Sequence, residues 1–251
     1  MPNLPLKGKT VVVTGTSKTT TVLSQIELLG GNAFAYPLIE TREIIEPIDF
    51  LQLEKAKKMD WLIFTSQNAV EVFCNKLNRH QLSTMQFKSK IAAVGEKTAK
   101  MLENNHFKIS FMPSVYSADV FVKEFPLVAG DNPTCLFIRG KKAKDTLKKS
   151  LPFTIEEWNV YDTFDHLSNV KPLIDLIQSK EEVIVIFASP SAVDVFARLV
   201  APIVGWTKAK FAAIGHITAA RIEHYGAQVT YKPNKYTMQA VIEDIQNRED
   251  A

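Results

Sequence analysis

The residues best suited to chemistry come in matched pairs. Ser66 stands third in Phe64-Thr-Ser-Gln-Asn-Ala-Val-Glu-Val-Phe73, and Ser189 stands third in Phe187-Ala-Ser-Pro-Ser-Ala-Val-Asp-Val-Phe196. Each follows an apolar run and opens a helix-period segment, where a hydroxyl can cap the first turn. The same turn offers backbone N–H groups to an anionic oxygen. Gln67, Asn68 and Ser191 share these turns. Thr98 and Thr218 form a second pair, in Gly95-Glu-Lys-Thr98 and Gly215-His-Ile-Thr218, with a glycine in each that lets the backbone bend closely. The turns Thr14-Gly15-Thr16-Ser17 and Arg139-Gly140-Lys141 follow two further apolar runs. The serines fit two roles, caps alone or caps that also touch a ligand.

Magnitudes rank these groups. A carboxylate at a helix N-terminus gains roughly 0.3–1 kcal/mol when exposed and up to about 2 when partly buried. An exposed lysine pair contributes only about 0–1 kcal/mol and weakens in salt. Backbone donors are therefore expected to grip a ligand bearing several carboxylates, with Arg139 and Lys141 as outer support. The lysines beyond them, Lys142 to Lys149, read as the solvated face of a short helix. Tyr161 lies in a polar linker, where two domains can meet over a ligand or where the ring simply anchors the chain.

The elements that must position these residues follow βαβ grammar. Strands are expected at 10–14, 33–38, 61–64, 91–94, 109–112, 135–138, 155–160, 183–187, 211–214 and 228–231, alternating with helix-period segments. Trp61-Leu-Ile-Phe64 and Val183-Ile-Val-Ile-Phe187 are continuously apolar, as strands buried on both faces of a parallel sheet must be. In such sheets ligands gather beyond the carboxyl ends of the strands, which is where the paired turns fall.

The chain also repeats itself. Besides the two serine segments, Ala92-Ala-Val-Gly-Glu-Lys-Thr-Ala99 aligns with Ala212-Ala-Ile-Gly-His-Ile-Thr-Ala219, and Pro113 and Tyr116 with Pro233 and Tyr236. Thr14-Gly15 matches Arg139-Gly140 more faintly. Two such units make two similar domains. The polar, proline-punctuated stretches 36–47 and 160–172 occupy equivalent places and suggest a double crossing. One domain is then discontinuous, residues 1–37 plus 166–251, and the other is inserted, 43–159, with linker strands 38–42 and 160–165. Contiguous halves split near Gly130 are the simpler alternative. On the double crossing, Ser66 and Ser189 belong to opposite domains and are expected to face one interdomain cleft.

Bulk properties exclude several classes. A length of 251 residues with 46% hydrophobic content supports about two domains, each with its own core. Cys74 and Cys135 sit in apolar runs without CxxC spacing, as buried structural thiols do. A net charge of +3 falls short of a nucleic-acid binder's footprint. No export signal or membrane span is apparent, so a cytoplasmic monomer is expected, with no nucleic-acid or membrane partner. Thr14-Gly-Thr-Ser-Lys-Thr19 resembles a P-loop but has serine where the glycine before the lysine belongs. GxGxxG, GxSxG and HExxH are missing, and the five histidines read mostly as surface residues.

Taken together, the segments Phe64-Thr-Ser-Gln-Asn-Ala-Val70, Ala93-Val-Gly-Glu-Lys-Thr-Ala99, Ile138-Arg-Gly140, Val160-Tyr-Asp-Thr163, Phe187-Ala-Ser-Pro-Ser-Ala-Val193 and Ala213-Ile-Gly-His-Ile-Thr-Ala219 resemble the uroporphyrinogen-III synthase family in order and spacing. The resemblance spans nearly the whole chain. It implies two flavodoxin-like parallel-sheet α/β domains joined by a two-stranded linker, which favours the double crossing. It implies a linear tetrapyrrole substrate, hydroxymethylbilane, with acetate and propionate groups, and no metal or organic cofactor. The implied reaction is loss of the terminal hydroxyl, ring closure through a spiro intermediate and inversion of the last pyrrole. Within Val160-Tyr-Asp-Thr163, Tyr161 matches the family's functional tyrosine. A phenol is protonated at neutral pH and can donate to the departing oxygen, so the resemblance makes Tyr161 the candidate general acid. Ser66, Thr98, Ser189 and Thr218 carry over as binding contacts. The family often has arginine after the threonine of the first strand, and Gly15 stands there instead, which leaves only backbone contacts from 15–17. A transient contact with the preceding pathway enzyme stays open. The rival expectations are a non-catalytic two-domain receptor for an anionic metabolite or tetrapyrrole, and a nucleotide-phosphate binder using the 14–19 loop.

Overall fold

A computed structural model describes residues 4–15 and 20–250. The Thr16, Ser17, Lys18 and Thr19 part of the first turn lies outside the described residues. The chain divides into two units, Met1–Glu40 with Phe164–Ala251, and Thr41–Thr163.

In chain order the first elements are β1 (Thr10–Val13), α1 (Thr20–Leu28), β2 (Asn32–Ala35) and β3 (Ile39–Glu43). The second unit continues with α2 (Asp49–Ala56), β4 (Trp61–Phe64), α3 (Gln67–Arg79), β5 (Lys90–Ala93), α4 (Glu96–Asn104), β6 (Ile109–Phe111), α5 (Ala118–Glu124), α6 (Pro126–Ala129), β7 (Cys135–Gly140), α7 (Thr146–Ser150) and β8 (Ile155–Asp165). The first unit resumes with α8 (Val170–Ser179), β9 (Val183–Phe187), α9 (Pro190–Leu199), α10 (Ala201–Val204), β10 (Lys210–Ala213), α11 (His216–His224), β11 (Val229–Tyr231) and α12 (Met238–Glu249). The unit boundaries therefore fall inside β3 and β8, which are neighbours in one sheet.

The sheet of the first unit runs β2-β1-β9-β10-β11, and every pairing is parallel. Read in chain order this is 2-1-3-4-5, the flavodoxin-like arrangement. In the second unit β8-β7-β4-β5-β6 are parallel, with β3 added at the β8 edge. That order becomes 2-1-3-4-5 as well when β7 is counted first, so the two sheets differ by a circular permutation of the chain.

Both sheets bury both faces, which is why their central strands carry no alternating polar positions. Trp61 and Ile63 join one core cluster with Phe121 and Phe125, while Leu62 and Phe64 join another with Phe73 and Trp158. Likewise Val11 and Val13 pack with Ile242 and Ile245, and Val12 packs with Phe187 and Phe196. Among the described residues, charge enters this interior at Lys76, and Asp49 and Arg139 are buried as well. Lys76 of α3 is 0% exposed, pairs with Asp49 at 2.5 Å and donates to the Ile44 carbonyl at 2.5 Å. A buried cation persists only with such partners. The two cysteines are free and buried, and burial pushes their thiols up to about 11 for Cys74 and about 12 for Cys135, so both are held as inert thiols.

Candidate active site

Parallel pairing sets the carboxyl ends of all the strands of one sheet along one edge, and the crevice opens where successive connections depart in opposite directions. In the second unit that place lies between β7, whose next strand is β8 on one side, and β4, whose next strand is β5 on the other. Gly140 closes β7, and Thr65 and Ser66 follow β4.

Ser66 is extended (φ −146°, ψ 149°), and its Oγ accepts the Ala69 N–H at 3.2 Å, capping α3. That Oγ also lies 3.1 Å from Tyr161 Oη. A serine hydroxyl has one proton and two acceptor sites. It can accept from Ala69 and still donate to the phenol oxygen, which leaves the Tyr161 proton for a third group.

What brings Tyr161 here is an irregularity of the sheet. The register of β7 against β8 runs Arg139↔Asn159 and then skips to Gly140↔Tyr161. A bulge of this kind cancels the strict alternation of side chains. Accordingly Val160 and Tyr161, though consecutive, both pack against the cluster of Phe64, Phe73 and Trp158. Glycine at 140 is required by space: a Cβ there would fall 2.4 Å from Tyr161 Cζ and 2.8 Å from its Oη. The Lys141 N–H then bonds the Tyr161 carbonyl at 2.9 Å, fixing the backbone beneath the ring.

The remaining expected site residues divide sharply. Asn68 donates to Thr41 Oγ1 at 3.2 Å, and Gln67 is exposed with its amide 3.5 Å from the Lys97 carbonyl. Lys141 is exposed, its Nζ 4.0 Å from Asp162. Arg139 departs from its expected duty as outer support for ligand carboxylates. It is 4% exposed, and its guanidinium is engaged by Glu157, by Asp145 at 3.3 Å and by the carbonyl of Ala143. Two protein carboxylates and a carbonyl already use its donors, so it braces the 140–145 turn. Lys148 pairs with the same Glu157 at 2.7 Å. Of the basic cluster only Lys148 and Lys149 lie on α7, the nearer lysines occupying the turn before it.

In the first unit the corresponding crevice lies between β1 and β9. Thr14 is wholly buried and donates its hydroxyl to the Ile186 carbonyl at 2.8 Å, tying the β1 end to β9. A Cβ on Gly15 would stand 3.1 Å from that of Ala188, so the two turns touch. Ser189 caps α9 through the Ala192 N–H at 3.3 Å, and Ser191 is exposed one residue into the helix. Thr98 and Thr218 are 5% and 3% exposed and sit in the first turns of α4 and α11, whose N-caps are Gly95 and Gly215. Their side chains face the interior, so any ligand contact from Thr98 and Thr218 comes from their backbone.

Sequence reasoning missed two partnerships. One is Ser66 with Tyr161. The other is His216 with Tyr236, which lie 2.8 Å apart, Nδ1 to Oη, at the carboxyl edge of the first unit. The repeat placed Tyr236 opposite Tyr116, but no periodicity marks a histidine at the first helical position as a partner for it. Among the described residues no group of three or more His, Cys, Asp or Glu side chains is arranged to hold a metal ion. Among them also, no helix is long and apolar enough to cross a membrane.

Comparison with known proteins adds a family to this geometry. The model of the uroporphyrinogen-III synthase HemD family matches residues 21–243. A uroporphyrinogen-III synthase of Synechococcus elongatus is 33% identical over 131 residues, which cover 50% of this chain and 48% of that one, so the match spans about half the relative's length. A chloroplastic uroporphyrinogen-III synthase of Oryza sativa is 24% identical over 244 residues, covering 94% of this chain and 78% of the relative. Among solved structures, a mutant uroporphyrinogen III synthase of Thermus thermophilus superposes with a TM-score of 0.69 at 15% identity, covering 96% of this chain and 98% of that one. The enzyme of that name from Helicobacter pylori gives 0.66 at 22% identity, covering 94% and 97%. At such identities the structural likeness establishes the fold.

Proposed function

The chain belongs to the uroporphyrinogen-III synthase HemD family, and from that premise we propose that it is a cofactor-independent hydro-lyase of tetrapyrrole biosynthesis. It cyclises hydroxymethylbilane with loss of water and inversion of the terminal pyrrole. The observation that carries this reading is the Ser66 Oγ to Tyr161 Oη contact of 3.1 Å over Gly140.

The chemistry asked of the protein is modest. The terminal C–O bond of the bilane breaks as the attached pyrrole supplies electrons, and the oxygen must leave as water. Tyr161 donates its proton to that oxygen, and the Ser66 hydroxyl, donating to Tyr161 Oη, stabilises the phenolate as it forms. The proton released when the closed ring regains its pyrrole restores the phenol. Positioning is the larger duty, because the bilane closes without help to the uninverted isomer. Holding the folded conformer is where orientation lowers the barrier. Acetate and propionate groups are received by backbone donors of the turns at Gly15, Ser66, Gly95, Ser189 and Gly215, with Gln67, Lys141 and Ser191 as exposed polar neighbours. Thr16 and Ser17 are assigned to the same role from the sequence. The protein works in the cytoplasm as a monomer on this reading.

Family membership does not favour the alternative of a non-catalytic receptor. Supplied with fresh hydroxymethylbilane, the purified protein is expected to give type III uroporphyrinogen, identified by isomer separation after oxidation. Type I alone would sink the proposal. Tyr161→Phe is expected to lower kcat by about 10²-fold or more, the usual scale of general acid catalysis, with little change in product affinity. An unchanged kcat returns Tyr161 to linker packing.

A further inference from the structure

The first unit carries a side-chain pair at its carboxyl edge that the proposed chemistry does not use. His216 is the first residue of α11, directly beyond β10, and Tyr236 lies in the loop between β11 and α12. The two strands are parallel neighbours, so both residues emerge at the edge where Thr14, Gly15 and Ser189 also lie. His216 Nδ1 and Tyr236 Oη are 2.8 Å apart, and the rings stand 5.3 Å apart between centroids. Gly215 makes the approach feasible: a Cβ there would come within 2.9 Å of the Tyr236 ring. Gly140 lies under Tyr161 in a similar way.

We propose that His216 and Tyr236 together form a carboxylate-binding couple for the tetrapyrrole substrate, resting on the function proposed above. Proton counting gives the reason. A neutral imidazole and a phenol hold two protons, one of which is consumed in their mutual bond. If Tyr236 donates to Nδ1, the imidazole proton sits on Nε2 and is left to donate. If Nδ1 donates instead, the phenol proton is left over. In either arrangement the couple retains one donor, and both side chains are solvent-exposed. The bond between them also holds the orientation of the two rings, so little freedom is lost on binding.

The repeated segment supplies an independent argument about charge. Gly215-His-Ile-Thr218 aligns with Gly95-Glu-Lys-Thr98, so the position of His216 is held by Glu96 in the second unit. Glu96 is exposed and acceptor-only when ionised, so its side chain offers a carboxylate no donor. Of two turns of the same local build, the one in the first unit thus adds a side-chain donor that the one in the second lacks.

The test uses the full chain and two variants at exposed positions, His216→Ala and Tyr236→Phe, each checked for an unchanged thermal unfolding midpoint. Steady-state kinetics with hydroxymethylbilane are expected to show KM raised about tenfold with kcat within about twofold of wild type, the scale of one hydrogen bond to a charged group. Binding of the stable oxidised product, uroporphyrin III, followed by fluorescence quenching, is expected to weaken in parallel. KM and uroporphyrin III affinity within about twofold of wild type in either variant overturns the couple. A wild-type protein that binds uroporphyrin III but makes no type III isomer overturns the proposed reaction instead, and the porphyrin affinities of the variants still decide the couple.

Discussion

A methyl group is enough to test how Tyr161 is held. At Gly140 a Cβ would overlap the phenol ring at 2.4 Å, far inside any contact the packing tolerates. Gly140 is buried at the end of β7, so the backbone has little room to yield. Gly140→Ala is therefore expected to push the ring off its site and lower kcat nearly as far as Tyr161→Phe does. Near-wild-type turnover in Gly140→Ala would show that the position of the ring over this residue is immaterial. Arg139 illustrates the opposite lesson at the same scale. In the sequence it is a cation beside a turn, and in the structure its charge is answered by Glu157 and Asp145. It lowers the carboxyl of Asp145 below the usual range through a direct hydrogen bond.

Helices α3 and α9 begin at the serines that the sequence marks as caps, because N-caps are local chemistry. Ser66 and Ser189 accept the N–H three residues on, and Ser117 and Thr237 do the same for α5 and α12. Removing such a cap costs about 1 kcal/mol. Ser66→Ala and Ser189→Ala are accordingly expected to lower stability by similar amounts in chemical denaturation. Turnover separates them: only Ser66 reaches Tyr161, so Ser66→Ala is expected to depress kcat beyond any effect of Ser189→Ala. Equal kinetic effects would mean that the Ser66–Tyr161 contact has no part in catalysis. Strands were legible for a similar reason, since runs such as Val183–Phe187 are buried on both faces. The long β8 was less so. Its eleven residues continue through Asp165, and its last residues are polar because β3, not a helix-covered core strand, pairs beside them.

At the scale of the whole molecule, the first unit is assembled from two chain segments separated by the entire second unit. Their ends are tied by charge. Glu249, the last residue of α12, meets Lys9 at 2.5 Å and Lys210 at 2.8 Å, and accepts from the Tyr231 hydroxyl. Burial pushes the Glu249 carboxyl up, but hydrogen bonds from Lys210, Lys9 and Tyr231 outweigh it and hold it at about 2, against an ordinary 4.5. A carboxyl depressed in the folded state stabilises fully above its unfolded pKa, and the contribution fades as pH falls through the folded one. Glu249→Gln is thus expected to be less stable than wild type at neutral pH. The gap should narrow between about pH 4.5 and pH 2, followed by unfolding midpoints. A gap that stays constant across that window would remove the cluster from the acid response.

The sequence by itself determined the α/β class, the buried strands, the capped helix starts and the recurrence of both turns, because each follows from hydrophobic periodicity and from hydrogen bonds a few residues long. It named Tyr161 and Ser66 as candidates, but gave no sign that the two touch across 95 positions of chain. Only the tertiary structure decided that contact, since it depends on a bulge in β8 that turns two consecutive side chains to one face. The permuted strand order of the second unit, the sequestration of Arg139 and the meeting of His216 with Tyr236 were decided in the same way. Each is a relation through space between segments distant in sequence, and the pattern of one segment carries no information about what the other brings beside it.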